Sequence, residues 1–332
     1  MKKDNHILTI IALMLLVCII MLILKPGSYF TVLNVRSMIF QFPEYGVLAL
    51  GMMACMIAGG IDLSLVGIMN LSGVLAALIV KNMVLIEGGE VANPAMVVPA
   101  IVLACVVAVV VGAACGAFNG FIIGYFGLPA MLVTLCGLQL YTGLAYGITG
   151  GPAINGMCDA FKNIANGTVA GIPYVLFIFI AVVAVVVFIM KCTVFGHEIY
   201  FLGSNAQAAM YSGINTLKVT IMTYMFSGIL GGISGILITS HLNSAKSSNG
   251  STYTLLSLLI VVLGGVHPDG GKGRVAGVVL AVLLLQMIAN AFGLMHMSDN
   301  AKTFANGCLL IAALVLSVVL EKREAQKAAA AS

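Results

Sequence analysis

The feature that most constrains this chain is a succession of long apolar runs in which hydrophobic residues follow one another without the alternation of a half-buried strand. A helix needs about 20 apolar residues to cross the roughly 30 Å hydrocarbon core of a bilayer, and shorter segments suffice where helices tilt or break. Within that core only helices and closed barrels satisfy every backbone N–H and C=O, and a barrel strand would show a two-residue alternation that these runs lack. The expected fold class is therefore all-α and polytopic. Composition excludes the soluble alternative: 61% of the 332 residues are hydrophobic and 8% charged, against about 25% charged in an ordinary soluble domain.

We read ten spans forming a single transmembrane domain, at 7–24, 45–58, 65–80, 95–117, 128–148, 173–190, 217–240, 253–266, 275–295 and 304–320. The first run, Ile7 to Leu24, exceeds the about 7–15 residues of a signal-peptide core and ends in Lys25-Pro26-Gly27 with no small-x-small cleavage site, so it is expected to be an uncleaved anchor. An even number of spans puts both termini on one side. The loops that share that side hold Lys2, Lys3, Lys191, Lys218, Lys272, Arg274, Lys322, Arg323 and Lys327, whereas the opposite segments hold Lys25, Arg36, Lys81, Lys162, Lys246 and Lys302. The bias predicts cytosolic termini. The long inner loop is then 191–217, an outer loop rich in Gly and Asn runs from Thr149 to Gly171, and 321–332 is a cytosolic tail.

The charges are spread thinly over span ends, for a net +4, and no basic run exists to neutralise a series of phosphates, so nucleic acid is not an expected partner. Of the eight cysteines, Cys18, Cys55, Cys105, Cys115, Cys136 and Cys308 fall inside apolar runs and Cys158 and Cys192 in separate loops; without a CxxC or Cys/His spacing they read as small buried residues, and no metal site is expected.

Glycines recur every four residues at Gly112/Gly116/Gly120, Gly143/Gly147/Gly151, Gly231/Gly235 and Gly273/Gly277. Such spacing shares one helix face and reads as packing seams, with a solute path as the alternative. The segment Ala58-Gly59-Gly60-Ile61-Asp62-Leu63-Ser64 interrupts two apolar stretches. Paired glycines break a helix, and Asp62 either caps the next one or serves solute passage. A second interruption, Leu263 to Gly273, superficially resembles a phosphate loop, but Val266 and Gly273 stand where G-x-x-x-x-G-K-[ST] needs Gly and Ser or Thr, so no nucleotide site is expected on this chain.

An intramembrane enzyme or ion-coupled carrier would place titratable residues inside the spans. The five histidines, His6, His197, His241, His267 and His296, lie at or beyond span ends without a partner at i+3 or i+4, and only Glu44 and Asp62 approach a span, both at its margin. Uncharged polar residues are available instead: Ser64, Asn70, Asn119, Thr134, Gln139, Tyr141, Thr142, Asn290 and Asn306. They suit a neutral, hydroxyl-rich solute, or else satisfy helix–helix hydrogen bonds. The candidate pathway or gate is Asp62, Ser64, Asn70, Asn119, Thr134 and Gln139, and no catalytic residue is expected. In the inner loop, Asn205 to Tyr211 forms either a short surface helix or part of a plain linker.

Several segments together resemble the permease subunits of bacterial ABC importers for ribose, xylose, galactose and related sugars, which include the autoinducer-2 permeases. They are GGIDLS at Gly59–Ser64, the Asn119-Gly120 pair, LPAMLVTLCGLQLYTGLA at Leu128–Ala145, FGHEIYFLGSNAQAAMYSGI at Phe195–Ile214, TYMFSGILGGISGIL at Thr223–Leu237 and LGGVHPDGGKGRVAGVVLAVLLLQMIANAFGLM at Leu263–Met295. His197 stands where that family commonly has Arg, and Pro268-Asp269 where it has Ser-Leu.

The resemblance implies an inverted repeat of spans two to five and seven to ten, and a role for Phe195, Gly196, Gly203, Gln207, Ala208, Ala209 and Gly213 as a variant of the EAA-type element that docks an ATPase subunit. It also implies ATP and Mg on that partner rather than on this chain, a periplasmic or lipid-anchored solute-binding protein, and a second permease copy or paralogue in the lipid. The competing readings are an ion-coupled secondary carrier and a membrane enzyme using Asp62 or Glu44.

Overall fold

A computed structural model describes residues 5–84, 94–298, 300–311 and 315. In chain order its helices are α1 (Asn5–Leu24), α2 (Pro26–Tyr29), α3 (Val32–Ile57), α4 (Leu65–Val84), α5 (Val97–Phe126), α6 (Ala130–Thr149), α7 (Asp159–Asn166), α8 (Tyr174–Cys192), α9 (Val194–Ser204), α10 (Ala206–Tyr211), α11 (Thr216–Leu242), α12 (Tyr253–Leu263) and α13 (Val275–Leu294), followed by helical residues 300–311. Among the described residues eight helices are long and apolar enough to cross a membrane. The only strands among them are two-residue pairings, Ile154–Asn155 with Ser244–Ala245 and Thr168–Val169 with Ile172–Pro173. The remainder of the tenth expected span and the tail 321–332 lie outside the described residues.

Three spans differ from expectation. The fourth runs on to Phe126 instead of ending at 117, so Asn119 and Gly120 lie inside α5; the other two differ for physical reasons. The second begins at Val32, not near residue 45, because the polar residues ahead of Tyr45 are satisfied by α13: Asn34 and Asn290 exchange two 2.8 Å amide bonds, and Gln286 donates to Gln41 at 3.2 Å. Thr31 caps this longer helix by accepting from the Asn34 N–H, and Pro43 lies inside it. The eighth span is short because half of the crossing is not helical. After Asn243, in the left-handed conformation at φ 50°, the chain turns back into the bundle, and the carbonyl of buried Ser247 accepts from Asn70 Nδ2 at 2.8 Å on the second turn of α4. Irregular backbone at such depth is stable only when enclosed by protein. The eleven residues of α12 then complete the crossing.

Helix α11 is the hub, packed on α3, α4 and α5. Its contact with α5 is backbone on backbone: a Cβ on Gly112 would lie 2.2 Å from the Gly228 carbonyl oxygen, and one on Gly116 2.1 Å from that of Tyr224. Against α4, a Cβ on Gly235 would lie 2.4 Å from the Met69 carbonyl oxygen, whereas Gly231 faces the Ile68 and Leu65 side chains. Two of the four expected seams are different. Gly143 and Gly147 have nothing within 4 Å, and Gly273 precedes α13 rather than sharing its face with Gly277, which instead meets the Gly264 carbonyl. The cysteines divide too: Cys55 and Cys158 are buried, whereas Cys136, Cys192 and Cys308 are exposed.

One end of the bundle gathers the α3–α4 turn, the α5–α6 turn, the α9–α10 segment and the loop 264–274; the other carries the 150–173 segment and the entry of the 243–252 segment. At that second end Asn166 Nδ2 donates to the Ser240 carbonyl at 3.0 Å and the Ala165 N–H to Ser240 Oγ at 2.9 Å, which fastens α7 onto the last turns of α11.

Candidate functional site

The turn after α3 places Asp62 against four helices. Asp62 is fully buried; its Oδ1 accepts from the Ser64 N–H at 3.1 Å and Ser64 Oγ at 2.6 Å, and its Oδ2 accepts from Ser227 Oγ of α11 at 2.8 Å. Ser64 Oγ in turn accepts from Asn119 Nδ2 of α5 at 2.8 Å, and Asn119 Oδ1 from the Tyr141 hydroxyl of α6 at 2.8 Å. Thr134 Oγ1 donates to the Ile61 carbonyl at 2.9 Å. A buried carboxylate is tolerated only when its lone pairs are satisfied, and here three donors do so. Burial pushes the Asp62 carboxyl upward, and the bonds from Ser64 and Ser227 oppose it. Tyr224 and Gly60 close the cluster: a Cβ on Gly60 would meet the Tyr224 hydroxyl at 2.3 Å, and among the described residues that hydroxyl has no hydrogen-bond partner.

Four of the six pathway candidates, Asp62, Ser64, Asn119 and Thr134, thus belong to one network. Asn70 is elsewhere, holding the inserted segment at Ser247, and its Oδ1 is buried without a partner among the described residues. Gln139 is also elsewhere, on the exposed side of α6. Ser227 joins the network unforeseen, because its bond to Asp62 spans 165 positions of sequence and leaves no local pattern, and Tyr224 lies beside it at Gly60.

A second polar cluster was concealed by the misplaced start of α3. Glu44 is not at a span margin but well inside α3 and 2% exposed. Its carboxylate is bonded to His241 Nδ1, from the last turn of α11, and accepts from the Tyr253 hydroxyl, at the start of α12, at 3.1 Å. Neighbouring Tyr45 donates to Gln286 Oε1. One carboxylate therefore ties together the three helices that border the inserted segment.

The segment after α8 folds as two short helices set by side-chain caps: Thr193 accepts from the Gly196 N–H, Asn205 from the Ala208 N–H and Asn215, opening α11, from the Lys218 N–H. Gly213, at φ 82°, ends α10, with the Ile214 N–H bonded to the Ala209 carbonyl and the Gly213 N–H to that of Met210. This is the left-handed glycine stop that releases a chain from a helix.

The seven coupling candidates divide into two sets. Gly196, Gly203, Ala209 and half-buried Phe195 face the bundle. A Cβ on Gly196 would lie 2.3 Å from the Ile189 carbonyl oxygen, and one on Gly203 1.8 Å from that of Ile57, which also accepts from the Gly271 N–H. Tyr200 donates to the Gly273 carbonyl at 2.9 Å, and burial pushes its phenol upward against the pull of Arg274. Gln207, Ala208 and Gly213 face outward, joined by Phe201, Met210 and Tyr211, the last 84% exposed, which alanine spacing did not single out. Ala209 is thus a packing residue and not part of the presented face. Gly203 therefore rests on the end of α3, five residues before Asp62.

Residues 34–314 match the family described as branched-chain amino acid transport system / permease component. The chain is 32% identical over 309 residues to the ribose import permease protein RbsC of Haemophilus influenzae, covering 92% of this chain and 90% of that protein. It is 26% identical over 315 residues to the L-arabinose transport system permease protein AraH of Escherichia coli, covering 95% and 90%. It is 30% identical over 292 residues to the autoinducer 2 import system permease protein LsrD of Photorhabdus temperata, covering 85% and 83%. No solved structure matches it.

Proposed function

Because this chain belongs to the family of branched-chain amino acid transport system permease components, we propose that it is the membrane-spanning subunit of an ATP-driven importer for a pentose, hexose or related hydroxylated solute. The similarity to the ribose and arabinose permeases over nine-tenths of both partners' length carries this reading. The polar residues near its spans support the solute class, since the Asp62 network offers hydroxyls and amides and no cation to hold a carboxylated or phosphorylated solute.

The reading assigns roles to both ends of the bundle. The α9–α10 segment receives an ATPase subunit that carries ATP and Mg, the 150–173 side receives a periplasmic or lipid-anchored binding protein, and both termini are cytosolic in a bacterial inner membrane. The translocating unit is a pair of permeases surrounded by lipid. A groove on the ATPase would receive Phe201, Met210 and Tyr211, whose exposure costs apolar surface in water. ATP-driven closure then pulls on α9, and through Gly203 on the α3–α4 turn.

Reconstituting the permease with its ATPase and binding protein tests this. Solute uptake should require ATP hydrolysis and survive an uncoupler; uptake that collapses with the ion gradient while ATP stays high overturns it in favour of a secondary carrier.

A further inference from the structure

At the α9–α10 end of the bundle, Lys191 and Arg274 line one groove between α8 and α13, with Ile7 of α1 at its edge. The groove encloses about 950 Å³. Each wall is one side of a single helix: Val183, Val187 and Lys191 recur every four residues along α8, and Ala276, Val279 and Leu280 share a side of α13. At 1.5 Å per residue the α8 wall runs about 12 Å into the membrane from Lys191 to Val183. An apolar trough within the crossing takes up hydrocarbon in preference to water.

The mouth of this trough is built by contacts between separate elements. Tyr200 of α9 donates to the Gly273 carbonyl at 2.9 Å, which fixes the residue before Arg274 against α9. His197 Nδ1 is bonded to the Thr193 carbonyl at 2.9 Å, which holds the imidazole at the same place. Lys191 lies in the last turn of α8 and is exposed. Exposed Arg274 immediately precedes α13, which starts without a side-chain cap, so the positive end of that helix dipole adds to the field of the two cations. Among the described residues no carboxylate lines the groove; Glu198, next to His197, is not part of its lining.

Basic residues scattered over span ends attract anionic lipid only as a surface layer, whereas a basic pocket between helices selects a head group. Here cations and an apolar trough match the two ends of one molecule. A soluble anion would leave the trough unfilled, and an apolar helix would leave the cations unmatched. We propose that the α8–α13 groove binds a phospholipid of net negative charge, its phosphate at Lys191 and Arg274 and an acyl chain along Val183, Val187 and Val279. The lipid braces two helices that touch each other little. The site concerns the membrane and not the solute, so it stands or falls apart from the transport reading.

The test uses the purified full-length permease in detergent, its melting temperature read with added phosphatidylglycerol, phosphatidylcholine or inorganic phosphate. Phosphatidylglycerol should raise it well beyond phosphatidylcholine, and phosphate should leave it unchanged. Lys191→Gln should at least halve the gain and Lys191→Gln/Arg274→Gln should abolish it, while Lys218→Gln, in the first turn of α11 and outside the groove, should keep it. Ala276→Trp leaves both cations in place and fills the trough, so it should abolish the gain as well. Because Arg274 also opens α13, native mass spectrometry of Lys191→Gln and Ala276→Trp reads the site without touching it: the phosphatidylglycerol adduct of the wild type should be lost in both. An equal gain from phosphatidylcholine or from inorganic phosphate overturns the proposal. So does a gain or an adduct that stays undiminished in either Lys191→Gln or Ala276→Trp.

Discussion

Two glycine ladders of identical spacing meet opposite fates in this molecule. Gly112 and Gly116 of α5 lie against the backbone of α11, so close that a methyl group would sit 2.1–2.2 Å from a carbonyl oxygen. Gly143 and Gly147 of α6 face open space. The i, i+4 spacing specifies a smooth helix face and nothing about what covers it. The first ladder is consumed in building the chain's own hub. The second remains open after folding, beside Gln139, a mid-span amide without a hydrogen-bond partner among the described residues.

The largest expected effect tests the consumed ladder. Gly116→Leu must push α5 away from α11 along its whole inner half, at a cost of more than about 3 kcal/mol from overpacking. Thermal unfolding of the purified permease should show a collapse of stability or no monodisperse protein at all; a variant melting with the wild type would mean that the α5–α11 contact is wrong.

The same contrast recurs on a smaller scale in the α9–α10 segment. Gly203 rests on the Ile57 carbonyl while Gly213, at φ 82°, has nothing within 4 Å. Gly203→Ala should cost about 2–3 kcal/mol by overpacking and uncouple ATP hydrolysis from uptake. Gly213→Ala should cost about 1–2 kcal/mol through its left-handed backbone alone. Measured together, equal losses of coupling in the two variants would refute a transmission route through Gly203.

Polar residues divide as the glycines do, and Asp62 is the bonded counterpart of Gln139. Asp62→Asn keeps the acceptor for Ser64 but turns a donor group toward the second serine hydroxyl, so it should cost about 1–2 kcal/mol. If the carboxylate only holds the turn, uptake should persist near wild type in that variant; loss of uptake in a protein of nearly unchanged stability would make its charge part of solute passage.

What was legible in the sequence follows the range of the interactions. Helices whose residues are apolar throughout, such as α1 and α8, are visible from composition because lipid is their main solvent. The caps at Thr193, Asn205 and Asn215 are local, so the two short helices of the inner loop were within reach of pattern reading. The start of α3 was not, since Asn34, Gln41 and Glu44 look like loop residues until partners some 200–250 positions away are in place. Nor was the inserted segment at 243–252, whose Ser-, Asn- and Lys-containing sequence reads as a surface loop until Asn70 is found bonded to it. The site was half legible for the same reason: Gly59 to Ser64 is a local signal, whereas Ser227, Tyr224 and the Glu44–His241–Tyr253 cluster exist only in three dimensions.

The smallest expected effect, on the open ladder, is the one whose sign carries information. Alanine is favoured over glycine inside a helix by up to about 1 kcal/mol, and at Gly143 the added methyl meets nothing in the single chain. Gly143→Ala should therefore raise the melting temperature of permease dispersed as single chains in detergent. A fall in that melting temperature would mean that this side of α6 is covered within the chain.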